Sequence, residues 1–487
     1  MKKQFKYILS FCLGLVAVTS CKRELLSPIP QTSITDATAF DTPARVANQV
    51  NSLYSSLKSG AFYGGRAQIA GDIRGEDFIN ETTNLVTGAD VWALNPTGTS
   101  QNFVKNLWAA AYSTINQCNL FIDGMATKGT SVVGATLSSN YLGEARLVRA
   151  VCYLKLLEHY SRPFADGSGS KPGLPLRLTG IKSSGSSDLV RSTVAEVFAQ
   201  IISDLDFAEA NLPLSYSTAA LNTTRAHRNT AIAIKTRVYM AMQDYNKVIV
   251  EANKIVGQST APFSATTGVA HALQANIVNV FRSPYTTTES ILSMPMTSTA
   301  GDNPGTQNQL GFYYSRTPVG YGNGEFSLNP SGIIANTGWT ATDARRTFNA
   351  TVSSKPYLNT KYAAPSPFTD YAPIIRYSEV LLNLAEALVR TNTGVNVKSL
   401  ALLNAVRQRS DATTILAPAT QTDLINAVLL ERRIEFLGEG LRNFDLMRLL
   451  QTIPAKGSIT AKAPSEQGYI WPISADELSL NHLMTDN

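Results

Sequence analysis

Glu431, Arg432, Arg433, Glu435, Arg442 and Asp445 fall within fifteen residues near the end of the chain, the kind of acid and base cluster an active site needs. Their spacing fits another role better. Carboxylates and guanidinium groups three or four residues apart on helices form local ion pairs, and Phe436, Leu437 and Phe444 among them supply a buried side. The cluster is therefore expected to be structural. The four histidines, His159, His227, His271 and His482, stand apart from one another in the sequence. No His-Glu-x-x-His, Cys-x-x-Cys, Gly-x-Ser-x-Gly or phosphate-cradling Gly-Lys-Ser/Thr pattern occurs. The 36 acidic residues leave a carboxylate pair for hydrolytic chemistry open, because such partners can lie far apart in the chain. The residue types predict a protein without catalysis, metal or cofactor.

Cys21 carries a different chemistry. Lys2, Lys3 and Lys6 precede an apolar run from Tyr7 to Val18, which is too short to span a bilayer as a mature helix and reads as a signal-peptide core. Thr19 and Ser20 then lead into Cys21, an arrangement that resembles the lipobox of bacterial lipoproteins, where the thiol is acylated and the chain is cut to leave cysteine first. Two or more acyl chains at one residue hold a protein at a membrane durably. Cys12 leaves with the signal, so Cys118 and Cys152 remain, both in helix-like text; buried free thiols are expected, with a single disulfide as the alternative.

The elements that must position the remaining chemistry follow from periodicity. Apolar residues recur every three or four positions in 142–160, in 193–212 and in 230–256. The second run should start at Ser192 or Thr193, with Glu196 in its first turn, and stop at Pro213. The third breaks near Gln243-Asp244, as a turn between antiparallel helices would. Helical stripes resume near 373 and include Tyr377, Leu381, Leu384 and Leu388, then Leu424, Ala427, Leu430, Ile434 and Leu437. Between 258 and 370 the text is rich in Thr, Ser, Gly, Asn, Pro and Tyr with little helical period, which predicts an irregular lobe with a few short strands. The expected fold is mostly α: a tetratricopeptide-like scaffold of helical hairpins carrying an inserted loop-rich lobe. Its expected divisions are a signal peptide over 1–20, a lipidated tether over 21–40, helical regions over 41–257 and 373–487, and the lobe over 258–372. No apolar stretch after residue 20 approaches the length of a spanning helix. The formal charge is +6, of which the signal lysines supply half, and so weak an excess gives no electrostatic case for nucleic acid.

Several segments, in order, resemble the SusD/RagB family of Bacteroidetes outer-membrane lipoproteins. They are Leu107-Trp108-Ala109-Ala110-Ala111-Tyr112, Gly143-Glu144-Ala145-Arg146 leading to Gly173-Leu174-Pro175-Leu176, Ile375-Arg376-Tyr377-Ser378-Glu379, Leu403-Asn404-Ala405-Val406-Arg407, Leu430-Glu431-Arg432-Arg433-Ile434-Glu435-Phe436 with Gly440-Leu441-Arg442-Asn443-Phe444-Asp445, and Trp471-Pro472-Ile473. The resemblance spans nearly the whole mature chain. It implies a non-enzymatic lipoprotein of the cell outer membrane, anchored through Cys21 and facing the exterior. It also implies a partner, a SusC-like TonB-dependent barrel, to which such proteins pass a large nutrient. That nutrient is an oligosaccharide in the leading reading and a peptide, as in RagB-like relatives, in the alternative.

Sugar rings present apolar C–H faces, so aromatic side chains on exposed loops are the expected platforms. Trp92 sits in the turn-rich stretch 88–96, and Tyr313, Tyr314, Tyr321, Phe326 and Trp339 cluster in the irregular lobe. An arc of Trp92 with Tyr313, Tyr321 and Trp339 is expected to contact ligand. Asp72, Arg74 and Asp77 resemble a stretch that borders the family's binding site, while Trp108, in helical text with Leu107 and Tyr112, is expected in the core.

Overall fold

A computed structural model describes residues 38–487 apart from 184, 186 and 187. The signal peptide, Cys21 and most of the tether lie outside the described residues.

The longer helices, in chain order, are α1 (Pro43–Leu57), α2 (Arg66–Ile73), α3 (Asn106–Gly124), α4 (Ala135–Tyr160), α5 (Val194–Asn211), α6 (Arg228–Ala241), α7 (Tyr245–Asn253), α8 (Tyr377–Arg390), α9 (Val397–Ser410), α10 (Gln421–Glu435) and α11 (Arg442–Arg448). Their boundaries follow the local signals. Thr193 and Glu196 form a reciprocal capping box at the start of α5. Gln243, at φ 57°, turns the chain between α6 and α7, and Asp244 caps α7 by accepting from the Lys247 amide. Neighbouring helices pack as successive hairpins: α4 on α5, α6 on α7, α8 on α9. Helix α6 also packs on α5, and α7 on α8, so the stack continues from one side of the lobe to the other. Hence α6 is buried over almost its whole circumference.

The lobe between α7 and α8 holds most of the strands. Pairs β1 (Phe78–Asn80) with β3 (Phe326–Leu328), β2 (Ser290–Met294) with β6 (Ala372–Arg376), and β4 (Ala350–Val352) with β5 (Lys355–Tyr357) are all antiparallel. Ser353 and Ser354, both at positive φ, form the two-residue turn of the last hairpin, whose backbone twist matches its strands. The protein is thus mostly helical with three short two-stranded sheets. One hydrophobic cluster runs through N-terminal helices, lobe and C-terminal helices alike, including Trp108, Tyr313, Tyr314, Phe326 and Trp339. Cys118 and Cys152 are free and buried, and burial pushes both thiols up, which keeps them protonated.

The acid and base cluster of 431–445 is built into this interior, but its partners are distant rather than local. Glu435 accepts from Arg345, Arg376 and Arg409, and Glu431 from Arg345 and Arg407. Arg432 reaches Asp445 at 3.0 Å across the turn between α10 and α11. Arg433 and Arg442 leave the C-terminal region altogether and pair with Asp77 and Glu76. Local i,i+3 pairing survives only at Asp445 with Arg448, at 2.8 Å. The reason is placement: α10 is packed against α8 and α9, so its charged face meets other elements before it meets solvent.

Candidate functional site

Of the residues expected at the site, Asp72, Asp77, Trp92 and Tyr313 lie on or behind one ribbon, β1 with β3, in which Phe78 faces Leu328 and Asn80 faces Phe326. Tyr321 is at the outer end. Its loop leaves α-helical turn Leu310–Tyr314 and is closed by an antiparallel bridge between Arg316 and Asn323. Inside it the Gly320 amide donates to Arg316 O at 2.8 Å, and the Gly322 amide donates to Ser315 Oγ at 2.8 Å. The Arg316 amide donates to Asn359 Oδ1 at 2.6 Å, which ties the loop's base to the lobe. Fixed this way, the loop exposes 57 % of Tyr321 and 53 % of Val319. The loop is linked to the ribbon through buried Glu325, which accepts from Asn323 and, at 2.6 Å each, from the hydroxyls of Thr82 and Thr87. Beside it Glu81 pairs with Lys355 and accepts from Ser327.

Trp92 is attached to the other end of the ribbon. It closes a short helix, Ala89–Trp92, and is half-buried, with its indole Nε1 donating to Phe78 O at 2.7 Å. Lys456 lies over the ring, 5.5 Å from its centroid.

Two members of the expected arc must be corrected. Tyr313 is fully buried, stacked on Phe326 with centroids 6.1 Å apart. Trp339 is 2 % exposed and lies under the Arg346 guanidinium at 4.5 Å. Neither ring presents a face to solvent. The lobe has too little regular structure to fill its own interior, and large aromatics do that work. Tyr321 and Trp92 are the two of the four that reach the surface.

Asp72, Arg74 and Asp77 do stand next to the ribbon, but behind it, and all three are buried. Asp72 Oδ2 accepts from Tyr314 Oη and from the Gly440 amide, each at 2.9 Å. Burial pushes its carboxyl up to about 8 against these two donors. Arg74 donates to Asn443 Oδ1 at 2.9 Å and to Tyr469 O at 2.6 Å, and burial lowers its guanidinium to about 10. Asp77 accepts from Arg433 Nε at 2.8 Å and from the Ile333 amide at 2.8 Å. These contacts clamp the turn 72–77 to the C-terminal helices; none is offered to a ligand. Sequence reasoning missed Glu325, Arg316 and Lys456, which hold the loop and the indole. Only long-range contacts reveal them, since Lys456 reaches Ile73 across 383 residues.

The chemistry available at this surface is ring stacking flanked by amide and hydroxyl hydrogen bonding. Its carboxylates are occupied: Glu325 by three donors, Glu81 by Lys355 and Ser327. Among the described residues no group of three or more His, Cys, Asp or Glu side chains is placed to hold a metal ion, and no helix is long and apolar enough to cross a membrane. Two cavities of about 470 and 490 Å³ lie elsewhere, on α1 with α3 and beside α5, and are lined by none of the expected site residues.

Comparison with known proteins identifies the family to which this fold belongs. A sequence model of the SusD family matches residues 366–487, and one described as starch-binding, associating with outer membrane, matches residues 26–240. A SusD superfamily protein from Bacteroides fragilis is 30 % identical with a TM-score of 0.79, over 92 % of this chain and 99 % of its own. SusD-like protein P2 of Formosa agariphila is 24 % identical over 91 % of this chain and 90 % of its own length. The same fold is shared, at 16 % identity and a TM-score of 0.72 over 92 % of this chain and 99 % of the other, by surface glycan-binding protein A from Bacteroides thetaiotaomicron, solved in complex with laminarihexaose. The chain belongs to the SusD family of non-catalytic binding proteins associated with the outer membrane.

Proposed function

We propose that this protein captures oligosaccharides at the outer face of the outer membrane and passes them to a SusC-like TonB-dependent barrel, held there by lipid on Cys21. The observation that carries the reading is Tyr321, an exposed ring on a loop whose backbone is closed by its own hydrogen bonds. Such a platform meets a sugar face with little further ordering, so less of the stacking energy is lost to entropy. The laminarihexaose complex of a protein of the same fold supports a glycan as the ligand class. Lipidation would keep receptor and barrel in one membrane plane and raise their effective concentration.

Titration calorimetry over a set of purified oligosaccharides beginning with laminarihexaose, and over a peptide pool, tests the ligand class. Tyr321→Ala should weaken the best glycan by about tenfold, the loss corresponding to ~1.4 kcal/mol of ring contact. Undiminished affinity in that variant, or binding of peptides alone, would remove the support. Mass spectrometry of the mature amino terminus should find acylated Cys21, and native envelopes should yield a barrel that co-purifies.

A further inference from the structure

Trp92 is the one tryptophan of four that is not buried; Trp108, Trp339 and Trp471 are 3 %, 2 % and 0 % exposed. Its ring faces a residue from the far end of the chain. The amine of Lys456 is buried, donates to the carbonyls of Ile73 and, at 2.9 Å, Gly75, and faces the indole. No carboxylate of the described residues lies within ion-pair distance of it, so the two carbonyls and the ring are its partners. Burial, with Arg74 nearby, pushes the amine well below the usual lysine range. The next residue, Gly457 at φ 51°, passes close to the ring edge, where a Cβ would lie 3.5 Å from the indole six-membered ring. On its other edge the indole is held by Nε1 donating to Phe78 O.

The carbonyls that receive Lys456 are themselves fixed. They belong to the turn that Asp72, Arg74, Glu76 and Asp77 bolt to Tyr314, Asn443, Arg442 and Arg433. A physical line therefore runs from the arginines of the C-terminal segment, through the turn 73–75 and Lys456, to the face of Trp92.

We propose that Lys456 is a positioning residue that sets the Trp92 ring for a sugar, and that the C-terminal arginines serve the binding surface through it. The proposal rests on the reading that Trp92 touches ligand. It gives the buried residues 72–77 a role in binding although none of them meets the ligand. A lysine suits the task, because its amine donates to both carbonyls at once from a flexible stem that reaches the indole face.

The test is acrylamide quenching of tryptophan fluorescence in the full mature chain, with Trp92→Phe as the reference that removes the accessible component. Lys456→Met keeps the stem's bulk and deletes the donors. It should raise the quenchable fraction and weaken laminarihexaose about tenfold, as Trp92→Ala should, the loss that ~1.4 kcal/mol of ring contact corresponds to. Should Lys456→Met fail to fold, Lys456→Arg retains the donors but displaces the head group, and is expected to move the same emission. Unchanged quenching in the folded variant overturns the positioning role whatever the ligand does. Full laminarihexaose affinity in Trp92→Ala, with quenching altered in Lys456→Met, instead overturns the reading that Trp92 meets sugar.

Discussion

Asp72 is an acid in a place that favours its neutral form. Burial is the largest influence, and the Tyr314 hydroxyl, the Gly440 amide and the charge of Lys361 oppose it without cancelling it, while Glu439 adds to it. The folded carboxyl therefore titrates at about 8, against 3.8 for an unperturbed one. Between these values the folded state binds a proton that the unfolded state has lost. Stability from this group is complete below about 4 and falls as pH rises toward 8, by at most about 1.4 kcal/mol per pH unit. Asp72→Asn keeps an acceptor for both donors and removes the titration. Urea unfolding of the variant should accordingly show a flatter pH dependence between pH 5 and 8 and greater stability at pH 8; parallel curves for the two proteins would rule the shift out.

At the level of elements, the Tyr321 loop shows why a platform needs its glycines. A Cβ at Gly322 would lie 2.1 Å from Gly311 O and 2.5 Å from Ser315 O, both backbone atoms with nowhere to go. Gly322→Ala must therefore open the loop. Hydrogen exchange at the Gly320 and Gly322 amides should accelerate, and glycan affinity should fall as far as in Tyr321→Ala, although the aromatic ring is still present. Protection equal to wild type would show that the loop tolerates the methyl and is not held as described.

Elements of this kind differ in how well the sequence announces them. Helices α5, α6 and α7 were legible because their signals are local: the Thr193 and Glu196 capping box, the unbroken apolar stripe, and the turn at Gln243-Asp244. The mostly helical class followed from such stripes. The start of α4 was not legible, since its first turns from Ala135 to Tyr141 are largely solvent-facing and carry little apolar period. The lobe was harder still. Its strands run three to five residues, too short for an alternating pattern to separate inward from outward side chains. Tyr313, Tyr321 and Trp339 therefore look alike in a setting of Gly, Asn and Ser, yet two of them fill the interior and one stands in solvent. Asp72, Arg74 and Asp77 were placed near the site by family resemblance, and only the fold shows that they lie behind it.

Across the whole molecule, the least local feature is a buried set of five cations and five anions. Arg345, Arg376, Arg407, Arg409 and Lys361 interleave with Asp343, Glu289, Glu431, Glu435 and Glu439, drawn from the lobe, β6, α9, α10 and the turn after α10. Each of these side chains is at most 5 % exposed. Balanced charge makes the set tolerable in a low-dielectric interior, and it joins segments that no continuous run of chain connects. Such networks gain little over an apolar core while intact, but losing one member strands its partners. Glu435 is the member whose loss strands most, since Arg345, Arg376 and Arg409 all converge on it and together hold its carboxyl well below the usual range despite burial. Glu435→Ala should therefore cost ~3–5 kcal/mol in urea unfolding, the range for breaking a buried pair from one side. Glu439, Glu386 and Asp445, the last at about 2, are depressed as well by the arginines beside them. Their folded values lie below the unfolded ones, so their contribution is complete above the unfolded carboxylate range and is lost as pH falls through the folded values, which for Asp445 is about 2. Acid unfolding should consequently steepen below pH 4, and Glu435→Ala should shift its midpoint upward while leaving glycan affinity at pH 7 unchanged in whatever fraction remains folded. A variant as stable as wild type would mean that the arginines find other acceptors, and that packing alone joins lobe to helices.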